Sequence, residues 1–459
     1  MTAMSDGDTT QTDEDALGTE RQVEAAERAA LELANVDEAA RDEALHAIAD
    51  GIRERGDEVL AANAADVEAA EAALERGEYS QALVDRLELD DAKLHGIAEM
   101  VESVAGQADP LGETLAAREL DDGLDLYEVS VPIGVVATVF ESRPDALVQI
   151  AALCLKSGNA AILKGGSEAG ESNRVLHEVV VEATRDVDGV PEGWAQLVEA
   201  HEAVDRVLAL DDEVDLVMPR GSSEFVSYVE DNTQIPVLGH TEGVCHVYVD
   251  EAADLAMAED VAFDAKVQYP AVCNAVETLL VHEAVADDFL PGLVDRYEDA
   301  GVELRGDAAT RAVVDVGEAT AADWETEYGD LELAVKVVED VSDAVRHVNE
   351  HGSKHTESIL TEDDDNAAAF MQGVDAASVF RNASTRFADG YRYGLGAEVG
   401  ISTGKIHARG PVGLDGLTTY KYYLEGDGHV VASYSGEDAK PFTHVDFDGE
   451  WRPGDPDRP

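Results

Sequence analysis

Residues 131–166 read VPIGVVATVFESRPDALVQIAALCLKSGNAAILKGG, and this stretch decides the fold. Its opening run, VPIGVVATVF, is apolar and rich in β-branched residues, which is typical of a buried strand. Pro144 suits the first turn of a helix, and apolar residues follow it at helical spacing: Leu147, Ile150, Ala151 and Cys154. AAILKGG is a second short strand. This order of elements predicts a parallel sheet with helices on both faces.

The same alternation continues further along the chain. DLVMPRG (215–221) and VCHVYVD (244–250) are strand runs, and a helix is predicted from Ser223 between them. After AVETLLVH (275–282) the pattern starts again, with strands at LAVKVV, SILT and SVFRNA that alternate with helices. The sequence therefore predicts an α/β protein with two Rossmann-type parallel-sheet domains.

Two further stretches predict antiparallel structure. Residues 118–133 read as a hairpin, because Asp122-Gly123 is a favoured two-residue turn. GLTTYKYYLEG (416–426) supplies another strand. We expect the hairpin and this strand to form a small β flap that serves oligomerisation.

The composition is strongly acidic, with 99 Asp plus Glu against 32 Lys plus Arg and a formal net charge of −67. Such a surface repels itself at roughly 0.15 M salt, whereas at molar salt the screening length falls to about 3 Å. The acids are spread along the whole chain, so they are not an acidic interaction tail. The composition predicts a protein adapted to a salt-rich cytoplasm, and it argues against nucleic acid or an anionic membrane as partner.

Membrane and export signals are not expected. No apolar run approaches the roughly 18 residues that span a bilayer, and the acidic start MTAMSDGDTTQTDEDALGTE does not resemble a signal peptide. We therefore expect a soluble, cytoplasmic protein.

The 3 cysteines lie far apart, outside any C-x-x-C pair, so they are expected to be free thiols. Cys154 lies on an apolar helix face, and Cys245 alternates with Val247 and Val249 on one strand face, which predicts core positions for both. Cys273, in QYPAVCNAVET (268–278), instead lies in a loop before a strand. It is either a small buried hydrophobe or a nucleophile, a role that suits a thiol.

Several stretches between about residues 25 and 430 carry a resemblance to a known family: VFESRPDALVQIAALCLKSGNAAILKGGSEA, MPRGSS, VCHVYVD, CNAVETLLV, AVRHVNEHGSKHTESI and NASTRFADGYRYGLGAEVGISTGKIHARGPVGLDGLTTYK. In this order they resemble the gamma-glutamyl phosphate reductases, a family of the aldehyde dehydrogenase superfamily. The resemblance implies an aldehyde dehydrogenase-like fold and NADPH-dependent reduction of L-glutamate 5-phosphate to L-glutamate 5-semialdehyde, the second step of proline synthesis from glutamate. It also implies a homo-oligomer, and it suggests functional coupling to glutamate 5-kinase.

The resemblance also divides the chain into expected domains. Residues 1–20 would be a disordered acidic tail, 21–255 a cofactor-binding domain that carries the hairpin, and 256–405 a catalytic domain. Residues 406–435 would return a strand to the flap, and 436–459 would form an acidic C-terminal extension.

The nucleophile of the family is the cysteine of its CNxVET motif, here Cys273, beside Asn274. Attack on the acyl phosphate would give a thioester, and the developing oxyanion needs donors. One is the backbone N–H of Cys273; the second is normally an asparagine before a proline, where this chain has Ser142 in ESRP. Ser142 could donate its hydroxyl or merely cap the following helix.

Hydrolytic relatives carry a water-activating glutamate in a Glu-Leu-Gly-Gly motif. Gly239 takes its place here, with Glu242 nearby. The loss of a water activator suits a reductase, whose thioester must survive until hydride arrives.

The resemblance assigns Lys164 to the adenosine ribose of the cofactor. A glutamate three residues later would favour NAD, and this chain has Ser167 there, which indicates NADP, although Glu168 opposes that preference. Gly221 and Ser222 resemble a second cofactor turn, and Glu327 matches a glutamate on the nicotinamide ribose. An ordinary helix start remains the alternative at Lys164.

Substrate contacts are expected from Asn382, Ser384 and Arg386 in NASTRF and from Arg143, although in so acidic a protein Arg386 could equally neutralise a neighbouring carboxylate. His347, His351 and His355 are spaced four apart, but Gly352 and Ser353 should end the helix before the third histidine, so no metal site is expected. For His407 and Arg409 a structural and a functional role are equally open. Alternatives to the reductase are a hydrolytic or CoA-acylating aldehyde dehydrogenase and a non-catalytic homologue.

Overall fold

The computed structural model describes residues 8–141, 143–199, 203–239 and 242–452. Contacts divide the chain into two units: the first contains Met1–Gly221, Tyr228–Val237 and Gly413–Pro459, and the second contains Ser222–Ser227 and Leu238–Val412. Within the described ranges, no helix is long and apolar enough to cross a membrane.

The helices are α1 (Asp8–Leu33), α2 (Glu38–Glu54), α3 (Gly56–Glu75), α4 (Gln81–Leu87), α5 (Asp91–Ala105), α6 (Pro144–Lys156), α7 (Gly170–Thr184), α8 (Ala203–Leu208), α9 (Ser223–Asp231), α10 (Leu255–Val267), α11 (Glu283–Asp299), α12 (Thr310–Val313), α13 (Val341–His351) and α14 (Asp364–Gly373). The strands are β1 (Thr114–Asp121), β2 (Leu124–Pro132), β3 (Val135–Phe140), β4 (Ala160–Gly165), β5 (Ala195–Leu197), β6 (Leu216–Arg220), β7 (Cys245–Val249), β8 (Val276–His282), β9 (Glu303–Gly306), β10 (Gly317–Glu318), β11 (Glu332–Val338), β12 (Thr356–Leu360), β13 (Ser378–Arg381), β14 (Gly400–Ser402), β15 (Gly410–Val412), β16 (Thr418–Gly426) and β17 (Val445–Asp446).

The parallel sheet of the first unit has the order β5-β4-β3-β6. The predicted strand–helix–strand stretch is confirmed: β3 is buried along its length, and α6 begins at Pro144 and buries all four residues of its apolar pattern. The run 131–140 is not one strand, however. Gly134 interrupts it with φ 134°. The Asp215 carboxylate accepts from the Val135 N–H at 2.8 Å and occupies the space that a Cβ at position 134 would need, so only glycine fits there.

The antiparallel flap of the first unit has the order β16-β2-β1-β17. The predicted hairpin is confirmed, with Gly123 at φ 72° in its turn, and β16 pairs along the whole of β2. The described part of the C-terminal extension adds β17 to the other edge. Trp451 stacks on Tyr423 with ring centroids 3.9 Å apart, and Lys440 contacts Asp121.

The parallel sheet of the second unit has the order β10-β9-β11-β8-β7-β12-β13. Alternate residues of its central strands face opposite layers, as the period of a strand requires. Val247 and Leu279 pack with α10 and α11, whereas Tyr248 and Leu280 pack with α13 and α14. The core therefore lies on both faces of the sheet, and β7 and β8 run through its middle.

Two expected boundaries differ from the structure. The first unit gives way to the second near residue 238 rather than 255, because β7 pairs with β8 and β12 in the second sheet. The acidic tail was expected to extend to residue 20, but α1 already begins at Asp8, continuous with a buried stripe that includes Val23, Ala26 and Leu33. Residues 1–7 lie outside the described part of the chain.

Candidate functional site

Cys273 lies in a turn immediately before β8, in the second unit. The turn is closed by a hydrogen bond from the Ala275 N–H to the Val272 carbonyl at 2.9 Å, and the side chain of Asn274 donates to the Ala388 carbonyl at 2.7 Å. Cys273 is partly exposed, whereas Cys154 and Cys245 are fully buried. Burial raises the pKa of the Cys154 thiol to about 12 and that of Cys245 well above its usual value. Of the three thiols, Cys273 is the one that a substrate can reach.

The backbone of Cys273 is packed from behind by the start of β7. A Cβ built on Gly243 would lie 2.1 Å from the carbonyl oxygen of Cys273, so only glycine fits there. The Sγ of Cys245 donates a hydrogen bond to the same oxygen at 3.2 Å. Cys245 lies in the core as predicted, and the contact with Cys273 is a feature that strand periodicity does not reveal.

Arg386 is a buried cation close to Cys273. Its Nε donates to Oε1 of Gln268 at 3.0 Å, and its backbone N–H donates to Oγ of Ser384 at 3.3 Å. Burial lowers the pKa of Arg386, while its attraction to a Cys273 thiolate opposes that shift. In a chain with so few cations, this guanidinium places a positive charge within electrostatic reach of the thiol.

Asn382 is not part of this cluster. Its side-chain amide accepts from the Thr361 N–H at 2.8 Å and donates to the Thr361 carbonyl at 3.1 Å. Its backbone has φ 54°, a left-handed conformation that asparagine tolerates better than most residues. The structure thus brings Ser384 and Arg386 together. Asn382 instead bonds to the backbone of Thr361, just after β12.

A buried ion pair is formed by two residues that lie on either side of Cys273 in the sequence. Glu277 of β8 accepts from Nζ of Lys266 at 2.6 Å and from the Gly329 N–H at 3.3 Å. Burial raises the pKa of Glu277 to about 7, against the opposing charge of Lys266. The pairing of β7 with β8 skips Glu277, since Cys245 pairs with Val276 and His246 with Thr278. This pair was not predicted from the sequence, although a charged residue within an apolar strand was its signal.

Glu327 also lies close to the loop that carries Cys273. Its Oε2 accepts from the backbone N–H of Gly243 at 2.8 Å, and Gly243 is the residue packed on Cys273. Glu242 is exposed and Gly239 is half-buried.

The three evenly spaced histidines contact different groups. Nδ1 of His347 lies 2.9 Å from Nζ of Lys336, and Nδ1 of His351 lies 3.2 Å from Glu325. The helix α13 ends at His351, and His355 lies beyond it in the core. Among the described residues, no group of three or more His, Cys, Asp or Glu could hold a metal ion.

His407 and Arg409 lie between β14 and β15. His407 is exposed with φ 68°, and Arg409 donates to Asp375 at 2.9 Å, beside a second pair between Lys405 and Asp375. The ion pair of Arg409 with Asp375 therefore indicates a structural role for Arg409.

In the first unit, Lys164 is the second-to-last residue of β4. Its Nζ donates to the Gly165 carbonyl at 2.7 Å, and burial lowers its pKa although Glu168 and Glu199 oppose the shift. Glu199 also accepts from Arg174 at 2.8 Å. Two cations therefore lie around Glu199 at the carboxyl ends of β4 and β5, the usual place for a nucleotide in such sheets.

The turn that follows β4 is tightly packed. A Cβ on Gly165 would meet Asn173 at 2.1 Å, so the backbone there is tightly folded, and Ser167 is exposed beside it. The start of α7 is not an anion site, because Asp66 already accepts from the N–H groups of Glu171 and Ser172, at 3.2 and 2.8 Å. An anionic group must therefore rely on side-chain cations.

The remaining predicted residues lie near helix starts. Arg143 occupies the N-cap position of α6 and is exposed. Gly221 and Ser222 are exposed before α9, where Oγ of Ser222 accepts from the Phe225 N–H at 3.4 Å. Ser142 lies outside the described residues.

Comparisons with known proteins agree with this architecture. The aldehyde dehydrogenase family matches residues 9–319. Gamma-glutamyl phosphate reductase of Natronomonas pharaonis is 72% identical over 437 residues, covering 95% of this chain and 99% of the relative, and that of Methanococcoides burtonii is 51% identical over 437 residues, covering 94% and 97%.

Solved structures give the same picture. The crystal structure of gamma-glutamyl phosphate reductase from Thermotoga maritima matches with a TM-score of 0.86 and 43% identity, covering 90% of this chain and 99% of that one. Glyceraldehyde-3-phosphate dehydrogenase GapN from Methanocaldococcus jannaschii, complexed with NADP, shares the fold with a TM-score of 0.65 at 15% identity, covering 93% of this chain and 96% of that one.

Proposed function

Because the chain belongs to the aldehyde dehydrogenase family, we propose that it reduces L-glutamate 5-phosphate to L-glutamate 5-semialdehyde with release of phosphate, the second step of proline synthesis from glutamate. The observation that carries this proposal is the similarity, over nearly the whole chain, to relatives named gamma-glutamyl phosphate reductase. Enzymes of this family bind NAD or NADP.

Cys273 is the nucleophile in this proposal. Its thiolate attacks the acyl carbon, the C–O bond to the phosphoryl group breaks, and phosphate leaves with the bonding electrons, which gives a thioester on Sγ. A nicotinamide cofactor, when bound, would supply the hydride that reduces this thioester. Collapse of the thiohemiacetal then releases the aldehyde and returns the thiolate. The partial exposure of Cys273, against full burial of the other two thiols, supports the assignment.

Arg386 assists Cys273 in two ways. Its positive charge favours the thiolate of Cys273 over the thiol. The same charge attracts the anionic substrate in an otherwise acidic protein, and a guanidinium can pair bidentately with a phosphate or a carboxylate. Ser384 contributes by accepting from the Arg386 backbone, and Arg143 remains a further candidate for the substrate.

The oxyanion is stabilised by the N–H of Cys273 and, as we propose, by the hydroxyl of Ser142. Asn274 positions this N–H rather than donating to the oxyanion, since its amide donates to Ala388. Gly239, which has no side chain, supplies no carboxylate to activate water, so the thioester persists until it is reduced.

The cofactor is NADPH. Lys164 and Arg174 are the two cations that we assign to the 2′-phosphate, and Ser167 adds no charge beside it. Gly221 and Ser222 would approach the pyrophosphate. Glu327 would accept from a nicotinamide ribose hydroxyl through Oε1, which is supported by its hydrogen bond to the residue packed on Cys273.

We place the enzyme in the cytoplasm as a homo-oligomer, with glutamate 5-kinase as the source of its unstable substrate. The edge strand β16 supports the oligomer, since it exposes Tyr420, Tyr422 and Leu424. The protein has no expected partner among nucleic acids or membranes.

The reverse reaction tests the function. Purified enzyme in molar KCl is given L-glutamate 5-semialdehyde and NADP, with and without inorganic phosphate. NADPH should form only with phosphate present. NADPH formation without phosphate would indicate the hydrolytic enzyme, formation that requires CoA would indicate the acylating one, and no formation under any condition would indicate a non-catalytic homologue.

A further inference from the structure

Cys245 makes a specific contact with the proposed nucleophile. Its Sγ lies 3.2 Å from the carbonyl oxygen of Cys273 and 3.6 Å from Nδ1 of His355, and the side chain is fully buried. A carbonyl oxygen can only accept, so the single proton of the Cys245 thiol is the donor in the first contact. Because burial raises the pKa of Cys245, this proton stays on the sulfur at neutral pH.

The local fold aims Cys245 at this oxygen. The register of β7 and β8 shifts between Cys245 and His246, and such a shift is the kind of irregularity that redirects a side chain beside a site. Two residues earlier, Gly243 leaves room for the same peptide group to approach the β7 backbone. The carbonyl of Cys273 is thus held by close packing at Gly243 and by the hydrogen bond from Cys245.

We infer that Cys245 is a positioning residue whose thiol, through its hydrogen bond to the Cys273 carbonyl, sets the orientation of the peptide that carries the nucleophile. This inference rests on the proposed function of Cys273. The Cys273 carbonyl belongs to the peptide between Cys273 and Asn274, so fixing it fixes ψ of Cys273 and thereby the direction of the Cys273 side chain and N–H relative to β8. Cys245 itself is fully buried and acts through Cys273.

The alternative role for Cys245 is packing alone, and two substitutions separate the roles. Cys245→Val fills the site with apolar atoms but cannot donate, whereas Cys245→Ser keeps a donor and loses packing. A positioning role predicts that Ser retains more function than Val. A packing role predicts the reverse order. Cys154→Val and Cys154→Ser are matched controls, since Cys154 is equally buried and lies in the first unit.

Function is read in two ways, each in molar KCl on variants shown to be folded by circular dichroism. The first is the rate constant for alkylation of Cys273 by iodoacetamide, with the modified residue identified by mass spectrometry. The second is kcat in the reverse assay, with the Kd for NADP measured separately by fluorescence. We expect Cys245→Val to lower both rates at least tenfold with the Kd unchanged, and Cys245→Ser to lower them about threefold. Both Cys154 variants should stay within twofold of wild type.

Equal rates in Cys245→Val and Cys245→Ser, or faster rates in the valine variant, would overturn the inference. If Cys245→Val does not fold, Cys245→Ser decides: alkylation within fivefold of wild type supports the inference, and a larger loss overturns it. Failure of the proposed function is distinguishable from either result. It would show as turnover that survives Cys273→Ala or does not require phosphate, whereas the alkylation rates report the orientation of the thiol without any turnover.

Discussion

Nζ of Lys266 in α10 lies 2.6 Å from Oε2 of Glu277 in β8, and both side chains are fully buried. Removal of one member of such a pair leaves an uncompensated charge in the core, at a cost of about 3–5 kcal/mol. We therefore expect Lys266→Met to lower the free energy of unfolding by about that amount, as measured by denaturant titration in molar KCl. The double variant Lys266→Met with Glu277→Leu should recover most of the loss.

The control for this prediction is an exposed pair of similar length. Arg76 and Glu78 lie 2.7 Å apart, and each side chain is more than half exposed. Arg76→Met should leave the unfolding midpoint almost unchanged, because exposed ion pairs contribute little. Equal losses in Lys266→Met and Arg76→Met would contradict the prediction.

Much of the site could be predicted from sequence, because its signals are local. The strand before Pro144, the helix after it and the placement of Cys273 in a loop follow from periodicity and turn residues. The contact of Cys245 with Cys273 and the Lys266–Glu277 pair depend on which strands and helices become neighbours. That information is long-range, and no local pattern carries it.

The domain boundary shows the same limit. β7 is as apolar as the strands of the first sheet, and only its pairing with β8 and β12 assigns it to the second. Arg386 was predicted as a substrate contact, but its closeness to Cys273 required the fold to bring the loop after β13 beside the loop before β8.

Replacement of Arg386 should change the titration of Cys273. Loss of a nearby positive charge destabilises the thiolate, so the pKa of the Cys273 thiol should rise in Arg386→Ala. The midpoint of the pH dependence of iodoacetamide alkylation should therefore shift upward, and kcat/KM should fall at least a hundredfold, equivalent to about 2.7 kcal/mol. Arg386→Lys, which keeps the charge, should show a smaller shift.

Arg381→Ala is the control for Arg386. Arg381 ends β13 and pairs with the exposed Asp364 at 2.7 Å. Its replacement should leave the alkylation midpoint in place. An unchanged alkylation midpoint in Arg386→Ala would show that Arg386 does not activate Cys273.

Ser167 should govern the choice between the two nicotinamide cofactors. A carboxylate about 5 Å from a 2′-phosphate would cost roughly 3 kcal/mol at an effective dielectric constant near 20. We expect wild type to prefer NADPH over NADH at least tenfold in kcat/KM, and Ser167→Glu to reverse this preference. Ser167→Gln matches glutamate in size without its charge and should keep the preference for NADPH. Titrations of NADP and NAD by fluorescence provide a measurement independent of turnover, and equal affinities in wild type would contradict the assignment.

Salt should control both folding and activity. With a net charge of −67, repulsion grows as the screening length lengthens from about 3 Å at 1 M salt to about 8 Å at 0.15 M. Dilution from molar KCl to 0.15 M should therefore lower activity and the unfolding temperature together. A salt of a bulky organic cation at the same ionic strength separates screening from binding of K⁺ to carboxylates. Full stability in dilute buffer would show that the acidic composition has another origin.

Cys273→Ala is the decisive test of the chemistry. The variant loses the one partly exposed thiol of the three, so fold and NADPH binding should persist while turnover falls below about a hundredth of wild type, a loss of more than roughly 2.7 kcal/mol. Cys273→Ser should recover little, because a hydroxyl is far less ionised than a thiol at neutral pH.

In wild type, iodoacetamide should label Cys273 before Cys154 or Cys245, and acyl substrate should protect it. Turnover above a hundredth in a folded alanine variant would exclude Cys273 as the nucleophile.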